Sequence, residues 1–208
     1  MSRLRHYIAH LLALLIAQLP FAPTAIGLEL NPPQQVIQGV SDQLMRILRD
    51  DRELLHKDPN YVHRLVERLF LPNVDFSRIS ALVLGPYWRE ATPSQRRTFE
   101  LELKRLLIQT YASALDRLSD WELSYLPMQI EPSQTKALVK TEMRKPGGNP
   151  VAVDYRMVVK DSRWVAYDVV VEGVSLLASY RAQFTEIARR RGLDGLLAEL
   201  HARNGSKR

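Results

Sequence analysis

The sequence of 208 residues contains no cysteine. That excludes a disulfide scaffold, a thiolate zinc site, a cysteine nucleophile and an iron–sulfur cluster. The motifs of several large enzyme classes are also missing. There is no G-x-S-x-G elbow, no H-E-x-x-H, no glycine-rich phosphate loop and no G-x-G-x-x-G. No internal repeat and no low-complexity linker divides the chain, so it reads as one domain. No apolar run reaches the ~20 residues of a membrane span. Charge of one sign is not dominant either: 29 Lys+Arg against 23 Asp+Glu give +6.

What is present begins with targeting. Arg3 and Arg5 precede an apolar run, Ile8 to Leu19, followed by Pro20 and Pro23 and the small residues Ala25 and Gly27. This is the pattern of a secretory signal peptide with a cut before Leu28, the alternative being an uncleaved membrane anchor, against which His10 and the prolines argue. Removing residues 1–27, which hold two arginines and no acid, lowers the charge from +6 to +4 and leaves 181 of the 208 residues. A modest +4 outside the cytoplasm argues against nucleic acid as a partner. The expected layout is a signal peptide over 1–27, one domain over 28–203 and a disordered tail over 204–208.

Periodicity predicts the elements. Val36, Ile37, Val40, Leu44, Ile47 and Leu48 form an amphipathic stripe. Asp58-Pro59 starts a second helix that Pro72 stops, and Asp75 caps a third, closed by Gly85-Pro86. Thr92-Pro93-Ser94-Gln95 reads as a capping box opening a helix to about Leu118. After Asp120 the period falls to two, giving four strands in an antiparallel meander up to Val171. A helix over 175–191 follows, ended by Gly192, with Asp194 capping a last one. Helices, strands, then helices predict an α+β fold with helices over one face of the sheet.

Candidates for chemistry are few. His56, His63 and His201 have no partner at ligand spacing and read as surface residues. Asp154 and Asp168 fall on facing strands among the even-numbered positions, with Ala152, Arg156, Ala166 and Val170. A sheet-surface ion pair with Arg156 is the expected role. Apolar side chains are plentiful on both layers, but periodicity does not separate a filled core from a cavity wall.

An ordered set of segments narrows the reading. Asp58-Pro-Asn-Tyr61, Leu71-Pro72, Ala81-Leu-Val-Leu-Gly85, Tyr87-Trp88, Ala91-Thr-Pro-Ser-Gln-Arg96 and Gln109-Thr-Tyr-Ala-Ser-Ala-Leu115 stand in the first half. Val153-Asp-Tyr155, Trp164-Val-Ala-Tyr-Asp168-Val169, Glu172-Gly-Val-Ser175, Tyr180-Arg-Ala-Gln-Phe184 and Gly192-Leu-Asp-Gly-Leu-Leu197 stand in the second. Over about Val36 to Ala202 the chain resembles MlaC-type periplasmic phospholipid-binding proteins, also called toluene-tolerance auxiliary proteins.

The resemblance implies helices over a curved, mainly four-stranded antiparallel sheet with an apolar cavity between the layers. It implies a monomeric carrier with phospholipid as cargo, no cofactor, no metal and no catalytic residue. It implies exchange with an inner-membrane ABC transporter bearing an MCE-domain protein and with an outer-membrane lipoprotein–porin complex, maintaining outer-membrane lipid asymmetry. Within the matched region, apolar periodicity selects Leu82, Val83, Trp88, Phe99, Leu103, Leu106, Leu107 and Tyr111 as helical lipid-binding candidates. Val153, Tyr155, Met157, Val165, Tyr167 and Val169 come from the sheet, and Leu177, Tyr180 and Phe184 from the last helices. Arg89, Lys104, Arg144 and Lys145 are candidates for the phosphate. The alternatives are an envelope interaction module without lipid and a lipid hydrolase using Ser175 or Ser179.

Overall fold

The computed structural model describes residues 30–51, 54, 57–115, 118 and 120–205. The expected signal peptide and the last three tail residues lie outside them. Helix α1 spans Pro32–Asp50 and α2 spans Pro59–Leu69. A 3-10 turn, Leu71–Asn73, leads into α3, Phe76–Leu84. A short α4, Tyr87–Glu90, precedes α5, Pro93–Leu115. Strands β1 (Glu122–Tyr125), β2 (Lys136–Arg144), β3 (Val151–Lys160), β4 (Arg163–Val171) and β5 (Val174–Ser175) follow. Helix α6, Leu176–Gly205, ends the described chain. The sheet is a five-stranded antiparallel meander in the order β1-β2-β3-β4-β5. The fold is α+β as expected, with a two-residue fifth strand added at the edge.

Local signals explain the boundaries. At the start of α5 the Thr92 amide donates to Gln95 Oε1 (2.9 Å) and the Gln95 amide to Thr92 Oγ1 (3.2 Å), the reciprocal bonds of a capping box. Asp75 caps α3 by accepting from the Arg78 amide at 3.2 Å. Gly85 ends α3 at φ 56°, a left-handed conformation that favours glycine. Gly192, at φ 69° and ψ 176°, breaks α6. Asp194 was expected to cap the last segment; its Oδ1 instead accepts from Gln95 Nε2 (2.7 Å), tying α6 to the start of α5.

Two further expectations are corrected. The tail was expected to be disordered from residue 204. Helix α6 instead continues to Gly205, and Asn204 is buried, donating to the Glu102 carbonyl (3.0 Å) and to Glu102 Oε2 (2.5 Å). An exposed-looking terminal Asn is held because α5 offers it a buried carboxylate. Simple alternation also fails in β4. Arg156 pairs with Asp168 but Met157 pairs with Ala166, so Tyr167 is an extra, bulged residue. The bulge moves Ala166 onto the inner row with Met157 and Val139, and moves Val165 to the opposite row with Val158.

The interior is divided. Val83, Phe99, Leu103, Leu106, Phe184, Leu196 and Leu200 form a helical core. Phe99 and Phe184 meet edge to face at 5.9 Å. Val139, Met157 and Ala166 on the sheet pack with Ile37 of α1 as a second cluster. Leu44, Leu48, Leu65 and Leu69 join α1 to α2. The first two clusters meet along a seam beside β4.

Candidate functional site

A cavity of about 110 Å³ lies in that seam. Ile79 and Val83 of α3, Leu103 and Leu107 of α5, and Leu176, Leu177 and Tyr180 of α6 form its helical side. Ala166, Tyr167, Asp168 and Val169 of β4, with Val74, form the other. The lining is almost wholly apolar, as an acyl or other hydrocarbon ligand requires.

Polar ties hold the two walls together. Asp168 is buried, and its carboxylate accepts from the Leu177 amide (3.0 Å), Ser175 Oγ (2.6 Å) and Arg156 Nη1 (3.2 Å). The expected Arg156 pair is therefore present, and the same carboxylate also caps α6. The Ser175 hydroxyl accepts from the Ala178 amide at 3.0 Å and so caps the start of α6. On the other side the Asp75 amide donates to the Ala166 carbonyl (2.9 Å), and Lys160 Nζ donates to Asp75 Oδ1 (2.8 Å). Burial raises the Asp75 carboxyl, but bonds from Lys160 and Arg78 outweigh it and hold the group below the ordinary carboxylate range. Arg78 lies 5.7 Å from the Tyr167 ring centroid, so a cation backs the aromatic wall.

At the α5–α6 edge the Tyr180 and Tyr111 hydroxyls lie 3.5 Å apart. Burial, then the Tyr111 hydroxyl, push the Tyr180 phenol up. Burial alone pushes Tyr155 up to about 12. Both phenols are neutral at pH 7; of the two, Tyr180 lines the cavity, where a neutral group suits the apolar wall. No cluster of three or more metal-ligating side chains occurs among the described residues. Nor, among them, is any helix long and apolar enough to cross a membrane.

The structure sorts the candidates read from the sequence. Val83, Leu103, Leu107, Tyr167, Val169, Leu177 and Tyr180 line the cavity. Phe99, Leu106 and Phe184 are sealed in the helical core, with Trp88 packed against it, and do not line it. The same stripe on α5 faces α6 with one edge and β4 with the other, which periodicity does not resolve. Leu82 is half-buried on α3, and Tyr111 is 39% exposed at the rim. Tyr155 and Met157 pack with α1, and Val153 follows on the same inner row of β3. Val165 is turned away by the bulge. Missed were Val74, Ile79, Ala166, Asp168 and Leu176. Asp168 had a signal in the sequence: a carboxylate on a strand, seven residues before a Ser at a helix start.

A family described as MlaC protein matches residues 38–202. The chain belongs to the MlaC family. MlaC-family relatives agree along nearly the whole length. The toluene tolerance protein ttg2D of Pseudomonas putida is 27% identical over 184 residues, covering 88% of this chain and 83% of that one. The intermembrane phospholipid transport system binding protein MlaC of Haemophilus influenzae is 24% identical over 183 residues, covering 86% of each. The phospholipid-binding protein of Ralstonia solanacearum, solved in complex with a phospholipid, superposes with a TM-score of 0.79 at 29% identity, covering 85% of this chain and 99% of that one.

Proposed function

We propose that this MlaC-family chain is a periplasmic phospholipid carrier that takes acyl tails into the seam between helices and sheet. The observation that carries the proposal is the apolar cavity at that seam, in a chain whose fold is shared with a phospholipid-bound protein. The need for enclosure is energetic. Each buried methylene is worth ~0.8 kcal/mol, so a lipid with on the order of thirty methylenes loses roughly 25 kcal/mol on escaping into water. Diffusion through water is closed to such a molecule. A carrier needs shelter for the tails and docking partners, and no bond-breaking group.

The void of 110 Å³ is smaller than the ~150 Å³ that accepts one benzene. A tail therefore enters by parting the walls. The helical and sheet clusters pack separately, so they can separate without either losing its own core. The basic leader pattern supports export to the periplasm. There the carrier would exchange lipid with an inner-membrane ABC transporter bearing an MCE-domain protein and an outer-membrane lipoprotein–porin complex, maintaining lipid asymmetry.

The small volume is the observation that favours the second reading, an envelope interaction module with no lipid. Transfer separates the two. Donor vesicles with a fluorescent-tailed phosphatidylglycerol and unlabelled acceptors are mixed with lipid-stripped protein. A carrier raises the transfer rate in proportion to its concentration. An unchanged rate, with no lipid retained on the protein after removal of vesicles, overturns the carrier reading.

A further inference from the structure

Directly across Val74 from the cavity lies a second, open groove of about 520 Å³. Its floor is apolar, built from Leu71, Val74, Phe76 and Leu101, the last 47% exposed. Its rim carries three cations, Arg97, Lys104 and Lys160, and one carboxylate, Glu100. Both hollows use the same elements. Helix α5 turns Leu103 and Leu107 to the cavity and Arg97, Leu101 and Lys104 to the groove; the segment around Val74 walls both.

The cations are not equally engaged. Lys160 is committed to Asp75 at 2.8 Å. Lys104 reaches Glu67 at 3.3 Å, but that carboxylate is 58% exposed, and such a pair gives way readily to a better partner. The Arg97 side chain makes no hydrogen bond or ion pair with another described residue. A planar guanidinium and an exchangeable ammonium on one face of α5, at positions 97 and 104 about two turns apart, suit the oxygens of a phosphodiester reached by both long side chains. An amphiphile whose tail passes beside Val74 into the cavity would bring its phosphate to this rim.

We infer that the groove between the 3-10 turn and α5 is the seat of the lipid's phosphate, held by Arg97 and Lys104. The inference rests on the carrier reading and adds a head-group site to it. Its occupant is the phosphodiester of a loaded lipid, whereas an acidic protein surface would use the same cations without reference to tails.

The test compares two probes with identical tails on the purified, lipid-stripped protein: dioleoylphosphatidylglycerol, and dioleoylglycerol, which lacks phosphate. Wild type is expected to bind the phosphatidylglycerol more tightly, with affinity falling as salt rises. The double variant Arg97→Gln, Lys104→Gln is expected to lose about tenfold for phosphatidylglycerol and nothing for dioleoylglycerol. The double variant Arg189→Gln, Arg190→Gln, on an exposed face of α6, is the charge-matched control and should match wild type. Inorganic phosphate at high concentration should compete with phosphatidylglycerol and leave dioleoylglycerol in place. Equal affinity of wild type for both probes overturns the groove and leaves the carrier standing, as does a double variant that loses both probes equally. A double variant that keeps its lipid but loses binding to an acidic polypeptide overturns the groove's lipid role. Wild type that binds neither probe overturns the carrier reading and the groove with it.

Discussion

Val169 of β4 lines the seam cavity with Leu103 and Leu107 of α5, and Val169→Phe would fill part of that void. An unfilled apolar void costs about 24 cal/mol per Å³, so 110 Å³ corresponds to about 2.6 kcal/mol. The void is partly open, and a ring fills only some of it. The stripped variant should therefore gain about 1–2 kcal/mol, which for a domain of this size raises Tm by about 3–6 °C. The same ring occupies the path of the tail. Lipid retained per protein should fall several-fold, and so should the extra stability that bound lipid confers on wild type. Thermal unfolding of stripped and loaded protein, with lipid quantified by mass spectrometry, reads both effects. The reasoning fails if the stripped variant melts lower, as overpacking by ~1–3 kcal/mol would make it, while lipid content is unchanged. That result would place the tails elsewhere.

Asp168→Ala should cost about 2–4 kcal/mol in urea unfolding, because the Leu177 amide, the Ser175 hydroxyl and Arg156 lose their shared acceptor; Asp168→Asn should recover part of the loss. Glu102 is buried, which pushes its carboxyl up, but bonds from Asn204 and His201 and the Arg105 charge outweigh this and hold it below the ordinary 4.5. Its contribution is thus fully present above pH 4.5 and is lost as pH falls through the lower, folded-state value. Glu102→Gln should lower stability at pH 7 by about 1–3 kcal/mol and flatten the decline below pH 4.5 in urea unfolding. A decline as steep as wild type's would remove Glu102 from the account.

Elements with local causes were legible in the sequence. The capping box at Thr92 and Gln95, the Asp75 cap and the breaks at Gly85 and Gly192 each depend on neighbours within a few residues. The meander followed from alternation, and the Arg156–Asp168 pair from facing strands. What alternation assumes is an unbroken register, and the extra residue at Tyr167 breaks it. One inserted position exchanged Ala166 and Val165 between faces. Asn204 was misread because its partner, Glu102, lies 102 positions away. The division between core and cavity wall was illegible for a different reason. Phe99 and Leu103 share one stripe of α5 and the same chemistry, and only the placement of β4 against that stripe makes one sealed and the other a wall.

The central claim is that this seam shelters lipid tails. Native mass spectrometry of the protein purified from a bacterial envelope, followed by denaturing extraction, tests it most directly. The account predicts a mass excess that matches an intact phospholipid, released on denaturation and diminished in Val169→Phe. Protein of bare polypeptide mass, which stays bare after incubation with phospholipid vesicles, would contradict it.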